Sequence, residues 1–217
     1  MADLYTTAQT TSKERYANGQ SIRLKSSRDG ALYTMSYKLN MAIEGRVFHT
    51  SVGALTTPTT FRVGIQTLQP ELVIDVPSGT SIIPVEIAVH LETLAGTLTE
   101  MVAMTGTALR GAGTSTAGSA ASTRTDRVVS SACSVYYTYS GNATAISGAV
   151  EFWRYGFPWV TATAEGNAFM KFTYSMDEHT PQVVVGPGSI SLCVGATGTA
   201  PTGYITASWI EVPSASV

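Results

Sequence analysis

The clearest alternation of apolar and polar positions runs from Pro70 to Glu92 (PELVIDVPSGTSIIPVEIAVHLE). Two apolar runs flank a Pro77-Ser78-Gly79 break. In the second run, Ile83, Val85, Ile87, Val89 and Leu91 fall on one side of a two-residue period. Pro84, Glu86, Ala88, His90 and Glu92 fall on the other. That is the pattern of a strand with one buried face and one wetter face. Pro, Ser and Gly suit the tight reversal before it. The spacing predicts strands over residues 71–76 and 81–92, with Ile83 to Leu91 as core.

The same reading extends along the chain. Residues 1–30 are polar and without period, which predicts an extended arm with a short helical turn near residues 13–17. From Met35 to Ile43 apolar residues alternate, which predicts a strand, punctuated by Gly45. Residues 50–60, rich in Thr, Gly, Ala and Pro, read as a linker. Phe61, Val63 and Ile65 alternate with Arg62, Gly64 and Gln66, predicting a strand over residues 61–68. β-Branched residues assign residues 93–104 to another strand. Residues 105–127 (TGTALRGAGTSTAGSAASTRTDR) read as a long flexible loop, of the kind that is functional or packed on a neighbour. Further strands are expected over residues 128–139, 149–160, 167–176, 181–185, 188–194 and 204–212. In the first of these, Val135, Tyr137 and Tyr139 share a face. About nine or ten strands separated by turn signals, with no convincing helix, predict an all-β fold. The expected architecture is an antiparallel jelly-roll β-sandwich with an extended N-terminal arm. Residues 1–60 form the arm and a leading strand, and residues 61–217 the sandwich.

Composition sharpens this picture. Charged residues make up 13% of the chain, about half of the ~25% usual in soluble domains. Thr, Ser, Gly and Ala take their place, giving a neutral, hydroxyl-rich surface suited to packing against other proteins. A net charge of −2 argues against nucleic acid as a partner. The charge is uneven. Residues 1–50 carry seven basic and four acidic side chains, and the remainder six basic and eleven acidic. A basic arm on an acidic body implies two surfaces with different partners. No apolar stretch approaches a membrane span, and the N-terminus has no apolar signal region. The expected site of synthesis is therefore a cytoplasm. Two cysteines, Cys133 and Cys193, are too few for a disulfide framework.

Candidate chemistry is sparse. His49, His90 and His179 do not fall at metal-ligand spacing. Asp177-Glu178-His179 offers carboxylates of the kind that suit a cation, but reads more simply as a solvated turn. Asp75 and Glu86 would make a glycosidase-like pair only if their strands lie together; Glu86 reads more simply as a solvent-facing strand position. No nucleophile elbow or phosphate-binding loop is present. No catalytic residue, metal ligand or cofactor is assigned, and the chain is expected not to be an enzyme.

Recognition residues are easier to nominate. Tyr136, Tyr137, Tyr139, Phe152, Trp153, Tyr155, Phe157 and Trp159 lie within one short segment, with Arg154 among them. Aromatic residues and Arg favour interface cores. Alternate members are expected to face inward, the others a subunit or a ligand. The candidate interface comprises Lys13, Arg15, Arg23, Lys25 and Arg28 of the arm with Tyr136, Trp153, Arg154, Tyr155 and Trp159.

The succession of a polar arm, ELVIDVPSGTSIIPV (residues 71–85), a Gly/Ser/Thr loop, VVVGPGSISLCV (183–194) and YITASWIEV (204–212) resembles the jelly-roll structural proteins of tailed phages. The nearest class is the capsid decoration, or cement, proteins. The resemblance covers residues 70–212 and lies in strand order, turns and the closing strand. It implies a homotrimer on the outside of a head shell, partnered by the major capsid protein of the same virion, with the arm reaching over the shell. It carries over no catalytic residue. The alternative is a phage head-fibre or tail receptor-binding module that grips host glycans through Trp153 and Trp159.

Overall fold

The computed structural model describes residues 5–7, 21–23, 36–54, 56–93, 98–126, 129–158 and 170–216. In chain order the elements are β1 (Tyr5–Thr7), β2 (Ser21–Arg23), α1 (Tyr37–Ile43), β3 (Val47–Val52), β4 (Thr59–Thr60), β5 (Arg62–Val63), β6 (Leu72–Val76), β7 (Thr80–Thr93) and β8 (Leu98–Gly106). They continue as β9 (Thr116–Gly118), β10 (Ala121–Ser122), β11 (Ser134–Tyr137), β12 (Val150–Pro158), β13 (Met170–Ser175), β14 (Val184–Val185), β15 (Gly188–Ala196) and β16 (Thr202–Pro213). A 3₁₀ turn over Ser214–Ser216 follows.

Two sheets face each other, and β1 and β2 form a separate ribbon. The first sheet runs β10-β3-β16-β7-β13, with β4 and β14 as short additions. The second runs β12-β8-β15-β6-β11-β9, with β5 added. All pairs are antiparallel except the short β5–β15 contact. The protein is thus an all-β sandwich. β3 pairs with β16 over six residue positions, so residues 47–52 belong to the first sheet.

Inward side chains of both sheets build one core. Phe48, Ile87, Val89, Leu91, Phe172, Tyr174 and Trp209 come from the first sheet. Leu72, Ile74, Met101, Ala103, Trp153, Ile190, Leu192 and Val194 come from the second. Trp209 is fully buried and stacks on Phe48 at 6.4 Å between ring centres.

The predicted strands over residues 71–76 and 81–92 correspond to β6 and β7. Gly79, at φ +84°, supplies the left-handed position that the reversal between them needs. The expected core face of β7 is corrected in its first half. A bulge separates the pairs Ser208–Glu86 and Trp209–Pro84, leaving Val85 as an extra residue. An extra residue reverses the alternation. Ile82 therefore joins Ile87, Val89 and Leu91 in the main core, while Ile83 and Val85 pack outward against Met41, Val47 and Ile210.

What covers Ile83 and Val85 is the second correction. Residues 37–43, expected as a strand, form α1. The Ser36 hydroxyl accepts a hydrogen bond from the Leu39 amide at 3.3 Å, capping the helix. Gly45, at φ +74°, follows its end. Met41 is buried, whereas Tyr37, Leu39 and Ile43 stay exposed. The apolar alternation that predicts a strand is thus mostly surface.

One strand prediction and two loop predictions also change. The strand expected over residues 61–68 shrinks to two residues, and the linker over 50–60 contains the end of β3 and all of β4. Residues 105–127 are not a free loop. β9 pairs with β11 on the second sheet and β10 with β3 on the first, so the segment spans one side of the sandwich. On the opposite side, β12 and β13 end their sheets.

Candidate functional site

The outer face of the second sheet is built from the residues of β6 and β15 that alternate with the core. These are Val73, Asp75, Ser189, Ser191 and Cys193, preceded by Glu71, and all are buried. Arg110, only 1% exposed, holds the covering loops. Its guanidinium donates to the Thr144 carbonyl (3.0 Å), the Ser191 hydroxyl (2.9 Å) and the Thr67 carbonyl (2.6 Å). Asp75 accepts the amides of Arg110 (2.9 Å) and Gly111 (2.7 Å). The Tyr139 hydroxyl donates to the Gly111 carbonyl at 2.7 Å. Arg110 and Asp75 thereby fix the covering loops largely through backbone groups.

Titration behaviour follows from this burial. Glu71 is 1% exposed and 3.5 Å from the Arg62 guanidinium. Burial outweighs that neighbour and pushes its carboxyl up to about 8. Burial also raises Asp75, against the two amides that favour its charged form. Cys193 is pushed up to about 12 by burial, so its thiol is inert packing. Cys133 sits in the main core, and both cysteines are free.

The outer face of the first sheet is different. α1 covers one end; at the other an open groove of about 600 Å³ crosses β3, β16 and β7. Its walls include Ser51, Gly53, His90, Glu92, Tyr204 and Thr206. Register places them: Ser51 lies opposite Thr206, and Tyr204 opposite His90. A second bulge, between the pairs Thr202–Thr93 and Gly203–Leu91, leaves Glu92 without a partner in β16 at the groove. Gly53, at φ +97°, lets the Tyr204 ring lie against the backbone, where a Cβ would come within 2.7 Å of Cδ1. Burial, then the neighbouring Glu92 carboxylate, raise the Tyr204 phenol. Burial, then the Lys171 charge, lower His90, against the pull of Glu86. Sequence inspection assigned His90 and Glu92 to a wet strand face but had no means of setting Tyr204 beside them. That needs the register of two strands far apart in the chain.

The nominated interface residues are scattered. Lys13, Arg15, Lys25, Arg28 and Trp159 lie outside the described residues, and Arg23 falls in β2. Trp153 is 6% exposed and belongs to the main core; a bulge at Phe152 turns it inward. It is therefore core rather than a platform for a ligand. Tyr136 packs partly buried against Val73 and Tyr139. The expected shared face of Val135, Tyr137 and Tyr139 is broken at Thr138, whose φ is +54°. Tyr139 consequently joins the outer cluster instead of the core. Arg154 is exposed and paired with Glu151 and Glu100. Tyr155 is half-exposed and meets the Phe172 ring at 4.6 Å, closing the β12–β13 side.

The two carboxylates weighed as a pair, Asp75 and Glu86, lie on different sheets. Asp75 is tied to loop amides, and Glu86 faces Lys171 in solvent at 3.4 Å. They form no dyad. In the Asp177–His179 turn, Asp177 pairs with Lys38, while His179 Nδ1 meets the backbone of Ser175. Among the described residues no group of three His, Cys, Asp or Glu side chains is placed to hold a metal ion. No protein family, curated protein or solved structure matches the chain.

Proposed function

We propose that the protein is a virion structural protein, a capsid decoration protein that binds the outside of a phage head as a homotrimer. The observation that carries this reading is the strand pairing. The eight strands of five residues or more are β3, β6, β7, β8, β12, β13, β15 and β16. They pair first with last, second with seventh, third with sixth and fourth with fifth. A long hairpin folded over on itself in this way, with successive pairs alternating between the two sheets, supports a jelly-roll reading, an architecture common in viral shells. The low charge and the basic N-terminal segment support the same reading. In it, residues 1–30 fasten an acidic body to the major capsid protein. Three modest contacts per trimer act together, because each raises the effective concentration of the next.

The test is quantitative mass spectrometry of purified virions from the encoding genome, together with sedimentation of the isolated protein. A fixed ratio to the major capsid protein and a trimeric mass are expected. Absence from particles overturns the proposal. A chain lacking residues 1–30 should remain trimeric yet fail to bind heads; undiminished binding removes the role given to the arm.

A further inference from the structure

We infer that the groove between Tyr204, His90 and Glu92 is a binding site for a neutral saccharide. Four observations converge on it. The groove is large enough for one or two sugar rings at about 600 Å³. An aromatic ring borders it, fixed against Gly53 by a backbone conformation that glycine readily adopts, and an aromatic face is the surface on which the C–H side of a pyranose packs. The polar groups are of the kind that read hydroxyls: a carboxylate, an imidazole and the side chains of Ser51 and Thr206. Finally, a bulge leaves Glu92 without a partner in β16 at this point, as bulges do where a side chain is re-aimed.

The chemistry also selects the ligand's charge. Glu92 is the one carboxylate among the six groove residues named above, and its phenol partner offers no positive counter-charge. His90 is held toward its neutral form by burial and by Lys171. A site of this kind suits an uncharged, hydroxyl-rich ligand better than a phosphate or a uronate. The inference is independent of the virion reading: a decoration protein with this groove would add glycan adhesion to shell binding, and a receptor-binding module would use the groove alone.

The experiment uses the full chain with a panel of neutral hexoses, N-acetylhexosamines and their disaccharides. Binding is followed by saturation-transfer NMR and by the imidazole resonances of the three histidines. Saturable binding that shifts His90 but neither His49 nor His179 is expected. Tyr204→Ala should weaken it by at least about tenfold, the scale of one aromatic stacking contact. Glu92→Gln, which keeps the shape of the groove, should also weaken it. Lys38→Ala, on α1 at the other end of the sheet, should leave it nearly unchanged, which guards against a general loss of structure. The inference is overturned if no sugar of the panel saturates. It is equally overturned if sialylated or uronic sugars alone bind, or if Tyr204→Ala and Glu92→Gln, both still folded, bind as well as the parent.

Discussion

On the second sheet, the outward residues of β6 and β15 are as buried as the inward ones. On the first, the outward residues of β7, β13 and β16 beyond α1 meet solvent or line a groove. Both faces are polar, and what separates them is the burial of one beneath loops. Under the loops, Arg110 and Asp75 direct their hydrogen bonds to the chain itself, chiefly to its backbone and to the Ser191 hydroxyl, because an unpaired buried polar group is costly. On the open face, Glu92, His90 and the hydroxyls of Ser51 and Thr206 keep water within reach. They remain available to a ligand at little cost to the fold. Stability and recognition are thus divided between the two outer faces.

The comparison breaks first at Arg110. Replacing it with Met strands the Ser191 hydroxyl and the Thr67 and Thr144 carbonyls beneath the loops. A loss of about 3–5 kcal/mol of unfolding free energy is expected by urea denaturation. A loss under about 1 kcal/mol would show that the loops are held by something else.

A smaller effect is expected from Glu71, and its sign is distinctive. The folded-state value of about 8 lies above the unfolded 4.5. Between these values the native protein retains a proton that the unfolded chain releases. The contribution of Glu71 is therefore complete below pH 4.5 and is lost as pH rises through 8. Glu71→Gln, neutral throughout, should match the parent near pH 5 and exceed it by about 2–4 kcal/mol near pH 9. Thermal unfolding at the two pH values measures this, and parallel curves for parent and variant would contradict the raised carboxyl.

The open face should show the smallest change. Lys171 and Glu86 are 3.4 Å apart and each about half-exposed. Lys171→Ala should alter stability by less than about 0.5 kcal/mol. A larger loss in denaturant unfolding would mean that this face, too, is structural.

How much of this was legible beforehand depends on where local pattern and tertiary environment agree. β6, β13, β15 and β16 were readable because their alternation matches the pleat. Residues 37–43 form a helix despite their strand-like alternation, because their apolar spacing does not correspond to burial. The Ser36 cap and Gly45 were the better signals, and three of the apolar residues remain exposed. In β7 the odd-numbered pattern suggested one continuous face, but the pairing with β16 inserts an extra residue and turns Ile83 and Val85 outward. Among the candidate residues, Trp153 was named from its composition class, and only the bulge in β12 decides that it points into the core.

By itself, the sequence determined that the chain folds as β structure with abundant core, low charge and tight Gly- and Pro-marked turns, because those properties are local. It also set the alternation that gives each strand an inner and an outer face. The tertiary structure alone decided which outer face would be sealed and which left open. Arg110 finds Thr67, Thr144 and Ser191, and Tyr204 finds His90 and Glu92, only when distant segments are brought into register. No local pattern encodes a hydrogen bond between residues so far apart in the chain; the closing of the sheets does.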